Sequence, residues 1–214
     1  MLKLTPDKNI VMLYKNILWI GLLLLSLTSF VLPRQLNVVT ERKKWVISEN
    51  SSLCVNGSTN INKFSCEILA YDKIDTLTIS RDNKEIVLSG SVGISVKSFD
   101  CHNSMMTRDL RKTLKEKQFP MLHINFLSLN KLPQLTTQPE SITGMVDIEI
   151  AGSRKHFEVK YQISVDDQKV IHLLGSRDIN FSDFNLIPPR KLGGMIQTKD
   201  KLSVDFHLKM KTID

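Results

Sequence analysis

Gly57-Ser58-Thr59-Asn60-Ile61-Asn62-Lys63-Phe64-Ser65-Cys66 is the stretch that decides the fold, and Phe99-Asp100-Cys101 answers it further along the chain. Around these landmarks, segment after segment alternates apolar and polar residues. Ile86 to Ser98 is the clearest case: Val92, Ile94 and Val96 share one face, and Ser91, Gly93, Ser95 and Lys97 share the other. A period of two belongs to a strand with one face turned to an apolar interior.

Working outward, apolar residues appear at Trp45, Ile47, Leu53 and Val55, with a turn or bulge at Asn56-Gly57 and a second strand from Ile61 to Leu69. Thr76-Leu77-Thr78-Ile79 alternates and Arg81-Asp82-Asn83-Lys84 punctuates it. Gly90 and Gly93 suggest bulges or tight curvature. Further strands are expected at Met121 to Leu129, Ile142 to Ile150, Lys155 to Val165, Val170 to Phe181 and Lys201 to Met210. Ala151-Gly152-Ser153 and Asp166-Asp167-Gln168 supply turns, and Ser182 to Gly194 is irregular. About eight antiparallel strands describe a closed barrel better than a sandwich.

One segment changes period. From Ser104 to Gln118, Met106, Leu110 and Leu114 recur every fourth residue among Arg108, Arg111, Lys112, Lys115 and Lys117. This predicts an amphipathic helix over 104–118, capped by Asn103 or Ser104 and stopped before Pro120. Its apolar stripe either packs on the barrel or guards a cavity mouth.

The chain carries 29 Lys and Arg against 22 Asp and Glu, a net charge of +7. These charges are scattered and no aromatic-basic ribonucleoprotein pattern appears, which argues against nucleic-acid binding. Lys3, Lys8 and Lys15 precede a mostly apolar run from Ile17 to Leu32. As a helix that run rises about 24 Å, short of a ~30 Å hydrocarbon core. A positive region followed by a short apolar one is the layout of a secretory signal. The cleavage site is poor, so an uncleaved anchor, with membrane association through residues 11–32, stands beside the cleaved signal. Either way residues 1–33 are the targeting or anchor segment, 34–44 a polar linker and 45–214 the barrel domain, exported to the periplasm or cell envelope, with the inner membrane as the anchor's location.

In an oxidising compartment disulfides persist. Cys66 and Cys101 each follow a phenylalanine by two residues, at strand ends that neighbouring strands could bring together. A Cys66–Cys101 bridge leaves Cys54 over; the alternative is three reduced core thiols. Neither Cys-x-x-Cys nor His-x-x-x-His spacing is present, so no metal site is expected. His123, His156, His172 and His207 fall within alternating strands, as interior or rim imidazoles. Cys101-His102 are sequence neighbours, which point to opposite faces of a strand. No nucleophile elbow, Walker loop or dinucleotide fingerprint occurs. The chain reads as a binding protein without cofactor or catalytic residues, and its oligomeric state is open. Periodicity leaves undecided whether the apolar rows fill the barrel or line a tunnel.

Taken together, Val55-Asn56-Gly57-Ser58-Thr59-Asn60-Ile61-Asn62-Lys63-Phe64, the strand Val92 to Val96 ending in Phe99, and Arg108-Asp109-Leu110 form a recognisable series. Phe119-Pro120 with Ile124-x-Phe126, Ile142-Thr143-Gly144-x-Val146, Ala151-Gly152-Ser153-Arg154-Lys155 and Asp178 to Asn185 complete it. The series resembles the YceI-like family of bacterial envelope proteins from Trp45 to the C-terminus. The resemblance implies an extended, all-β, lipocalin-like antiparallel barrel that holds a long apolar ligand: a polyisoprenoid, a prenyl quinone or a similar lipid. It implies Phe64, Ile94, Phe126, Val146 and Ile148 as lining and Arg108 near an anionic head group. The runner-up is a filled barrel serving as a structural or protein-interaction module, with Phe184 to Gly194 as its contact surface.

Overall fold

A computed structural model describes residues 42–68, 71, 73–82 and 85–213. The targeting or anchor segment and most of the linker lie outside the described residues. The elements are β1 (Arg42–Ile47), β2 (Ser52–Ser58), β3 (Lys63–Ile68), β4 (Thr76–Asp82), β5 (Glu85–Ser95), α1 (Ser104–Thr113), β6 (Met121–Leu129), β7 (Glu140–Ile150), β8 (Ser153–Val165), β9 (Ile171–Asn180), β10 (Arg190–Lys191), β11 (Ile196–Gln197) and β12 (Lys201–Ile213).

Closure rests on β12. One edge pairs with β9 from Lys201↔Asn180 to Met210↔Ile171. The other pairs with β2 from Ser203↔Asn56 to His207↔Ser52, then with β1 from Met210↔Ile47 to Ile213↔Lys44. β1 and β2 are therefore two halves of one wall strand. Across their interruption Ser48 N–H donates to the Lys209 carbonyl, and Lys209 N–H donates to Ser51 Oγ. β3 and β4 are likewise two halves of the next position, against β2 and β1 respectively. With β5 to β9 this makes eight wall positions, all antiparallel and closed. Closure leaves no free sheet edge along most of the wall. β1 starts at Arg42, ahead of the expected Trp45, because Arg42 to Lys44 find ladder partners on β4.

The two ends differ. The β2–β3 hairpin, α1, the β7–β8 turn and the segment between β9 and β12 lie at one end, here the helix end. The turns β4–β5, β6–β7 and β8–β9 lie at the far end. The far half is packed solid by Trp45, Ile47, Leu77, Ile79, Leu88, Ile142, Ile163, Ile171, Leu173 and Met210, all essentially inaccessible.

α1 is shorter than its periodicity predicts. Asn103 Oδ1 accepts from Met105 and Met106 N–H to start it. Leu114 ends it, and Lys115 takes a left-handed φ of 56°. The turn that follows brings Phe119 beneath Gly152, where an added Cβ would meet the ring at 2.8 Å. Packing of Phe119 outweighs the helical preference of residues 115–118. The expected bulge is at Gly90, with φ 152°, where the β5–β6 register shifts; Gly93 keeps regular pairing with His123.

At the helix end β3 has no ladder with β5. The bridge Glu67↔Asp100 and the Cys66–Cys101 disulfide join the two sides there, and Tyr71 Oη donates to the Gly93 carbonyl. Cys54 is free. Closure, core and disulfide all lie inside Thr40–Asp214, one compact unit. The disulfide closes a loop of 35 residues, worth about 3–4 kcal/mol in the loop-entropy model. Cys101→Ser, or reduction of the wild type, is expected to lower unfolding free energy by about that amount in a denaturant titration.

Candidate functional site

In the helix half the inward rows do not meet. Two cavities, of about 60 Å³ and about 70 Å³, follow one another along the barrel axis. The first reaches from Ser51, Ser52 and Tyr71 to mid-barrel; the second continues to Leu110, Leu114, Phe181, Phe184 and Leu186 under the helix end. Leu53, Ile124, Ile148, Ile179 and Val204 line both, so the two spaces adjoin. Their walls are almost wholly apolar. Tyr161 and Phe206 meet edge-on in the first cavity, with centroids 5.9 Å apart. Burial pushes the Tyr161 phenol far above its ordinary 10.0, so its hydroxyl stays protonated.

Of the residues expected as lining, Ile94, Phe126, Val146 and Ile148 stand on the cavity walls, Ile148 at the junction. Phe64 sits elsewhere. It pairs with Gly57 across β2–β3 and covers that glycine so closely that a Cβ there would meet the ring at 2.3 Å. It is part of the hairpin's seal rather than of either cavity wall. Arg108 is on the outer face of α1, beside a surface groove with Asp100, Asn103 and Lys112. At i+3 and i+4 spacing, Thr107 and Leu110 take the inward positions of the helix and leave Arg108 to solvent.

The cation on the cavity wall is Arg177. It occupies the inward row Ile171, Leu173, Gly175, Arg177, Ile179 of β9. The β8–β9 ladder runs from Val165↔Ile171 to Lys160↔Ser176 and stops there. Beyond it, residues 153–159 of β8 pair only with β7, and residues 177–180 of β9 only with β12. The turn that follows β9 covers the far side of this gap, with Asn185 Nδ2 donating to Ser153 Oγ and Phe184 against Phe157, centroids 6.1 Å apart. A bounded seam in the wall results. The Arg177 side chain leaves the interior there, its guanidinium 5.2 Å from the Phe157 ring centroid. Cation–π contact holds it at the seam without cancelling its charge. Among the described residues no carboxylate forms an ion pair with it. The sequence signal was legible: one arginine interrupts an otherwise apolar inward row.

The histidines lie on the outside. Nδ1 of His172 is 2.8 Å from Nε2 of His207, and Nε2 of His172 is 3.1 Å from Asp166. His156 pairs with Asp147 at 2.9 Å. Among the described residues no group of three or more His, Cys, Asp or Glu side chains is placed to hold a metal, and no helix is long and apolar enough to cross a membrane.

Closed antiparallel wall, covering helix and axial apolar space define a lipocalin-like barrel. The YceI-like domain model matches residues 45–210. This chain belongs to the YceI-like family. BcnA of Burkholderia cenocepacia is similar in structure, with a TM-score of 0.57 and 15% identity over 74% of this chain and 95% of that one. A polyisoprenoid-binding domain from Saccharophagus degradans superposes with a TM-score of 0.58 and 9% identity, over 79% of this chain and 98% of that one. No curated protein matches the sequence.

Partial burial, followed by the neighbouring His172 and Lys209 charges, lowers the His207 pKa below its ordinary 6.5. The unfolded chain then binds the extra proton first, so this contribution is present above pH 6.5 and is lost as pH falls from there towards the folded value. Melting temperature is expected to decline across that interval, and His207→Gln to flatten the decline, in a series of thermal melts.

Proposed function

We propose that this protein binds one long, slender, apolar molecule without covalent chemistry, in the axial cavity of an exported barrel. The ligand class we infer is a polyisoprenoid, a prenyl quinone or a lipid of similar shape. The observation that carries this reading is the contrast between the halves of one barrel. The far-half side chains are essentially inaccessible, whereas the helix half keeps about 60 Å³ and 70 Å³ of apolar space. At ~24 cal/mol per Å³, that space costs the folded chain about 3 kcal/mol. An aliphatic chain entering it recovers the missing contacts and removes its own surface from water at ~25 cal/mol per Å².

Family membership and the solved polyisoprenoid-binding relative support the same ligand class. Periplasmic or envelope localisation follows from the charged and apolar layout of residues 1–33, and a structural disulfide agrees with an oxidising compartment. The head group belongs at the β8–β9 seam beside Arg177, the cation that borders the cavity, rather than at Arg108.

Native mass spectrometry with lipid extraction, on protein purified from an exporting host, tests the reading. A stoichiometric prenyl or similar lipid is expected. A clean protein mass, with no uptake of added prenyl lipids or quinones, overturns it. Ile148→Trp at the cavity junction is expected to abolish uptake while costing about 1–3 kcal/mol of stability. Arg177→Gln is expected to weaken a prenyl phosphate about tenfold, near the worth of one charge-assisted hydrogen bond. Its effect on an uncharged prenyl alcohol is expected to be small, which isolates the head-group role.

A further inference from the structure

The segment between β9 and β12 divides its apolar residues between two environments. Phe181, Phe184 and Leu186 are buried and form the floor of the second cavity. Ile187, Leu192 and Met195 face the other way, between 65% and 79% exposed. The β2–β3 hairpin adds Ile61, 61% exposed. Asn60 fixes the hairpin tip to this segment: its N–H donates to the Gln197 carbonyl, its Nδ2 to the Met195 carbonyl, and its Oδ1 accepts from Gln197 N–H. Pro189 is held in turn by Thr198 N–H. The four apolar side chains thus share one tip at the helix end.

The tip is held rather than frayed, and it is held at a cost. Leu192 stands at φ 50°, in the left-handed region that a leucine side chain disfavours, and Gly193 and Gly194 continue at 65° and 99°. A soluble surface gains nothing from a strained turn that projects a leucine and a methionine into water.

The charged side chains of the tip itself, in 58–64 and 187–199, are all basic. Lys63, Arg190 and Lys199 are exposed, and among the described residues none of them forms an ion pair. Arg108 and Lys112 extend the positive field along α1, which Lys191 joins to the segment through Asp109 at 2.7 Å. The nearest acids are tied to backbone within the segment, Asp183 accepting from Asn180 N–H and Asp200 from Ser182 N–H, and neither forms an ion pair among the described residues.

We propose that this tip is a membrane-docking surface that inserts Ile61, Ile187, Leu192 and Met195 at the interface of an anionic bilayer, with Lys63, Arg190 and Lys199 on the head groups. Shallow apolar insertion combined with basic side chains is how peripheral proteins bind such surfaces reversibly. The inserted segment is also the floor of the second cavity, so docking sets the cavity's helix end against the lipid phase. The docking surface stands or falls separately from the ligand in the cavity.

Flotation of residues 40–214 with vesicles is the test, one set of phosphatidylcholine alone and one mixed with phosphatidylglycerol. The protein is expected to float with the mixed vesicles and to stay behind with the neutral ones, and added salt to weaken the association. Ile187→Ser with Leu192→Ser and Met195→Ser is expected to reduce the bound fraction about tenfold or more. These side chains contribute little to the core, so an unchanged melting temperature verifies the fold. Arg190→Gln with Lys199→Gln is expected to remove the preference for the anionic vesicles. Absence of flotation with either vesicle overturns the proposal. Equal binding by the folded triple serine variant overturns it as well. So does loss of self-association in that variant without any vesicle binding, which would assign the tip to a second copy of the chain.

Discussion

Everything in this molecule depends on β12 having a partner on both edges. Its ladder to β9 on one side and to β2 and β1 on the other turns an open meander into a closed wall. The contacts are the most distant in sequence that the fold makes, so their entropy of closure is large and only slowly length-dependent. Closure also fixes the inside. With eight strands the interior is just wide enough for side chains to meet or for one slender guest to pass. Which of the two happens is then a matter of local side-chain volume.

The barrel does both, in different halves. At the far end, indole, isoleucine and leucine side chains interdigitate to exclude all solvent. Towards α1 the rows mix valines and isoleucines with Phe126, Tyr161 and Phe206, and Gly175 faces Phe206 in place of a side chain. The result is one fold with a rigid base and an accommodating upper part. The rigid base supplies stability that offsets the unfilled space, a division suited to binding a guest without reorganising the wall. Where the wall itself is incomplete, chemistry other than the ladder closes it. Cys66–Cys101 and the Glu67↔Asp100 bridge join β3 to the end of β5. Phe157, Phe184 and Arg177 occupy the β8–β9 seam.

Alternation of apolar and polar residues was sufficient to establish an all-β domain, the positions of nearly all its strands and the identity of its inward rows. A row such as Val92, Ile94, Val96 faces one way whatever it packs against, because the strand period is a property of the local backbone. The break of period at Ser104 located the helix for the same reason, and the paired Phe-x-Cys landmarks anticipated the disulfide. Tertiary structure alone decided how far α1 runs, since packing of Phe119 beneath Gly152 ends it before its periodicity does. It alone decided that Phe64 seals a hairpin instead of lining a cavity, that Arg108 faces water and that Arg177 borders the interior. Above all, it decided that one half is solid and the other hollow. Pattern along a chain specifies which side chains turn inward; whether they touch depends on the volumes that distant strands bring opposite them, and that sum exists only once the barrel is closed.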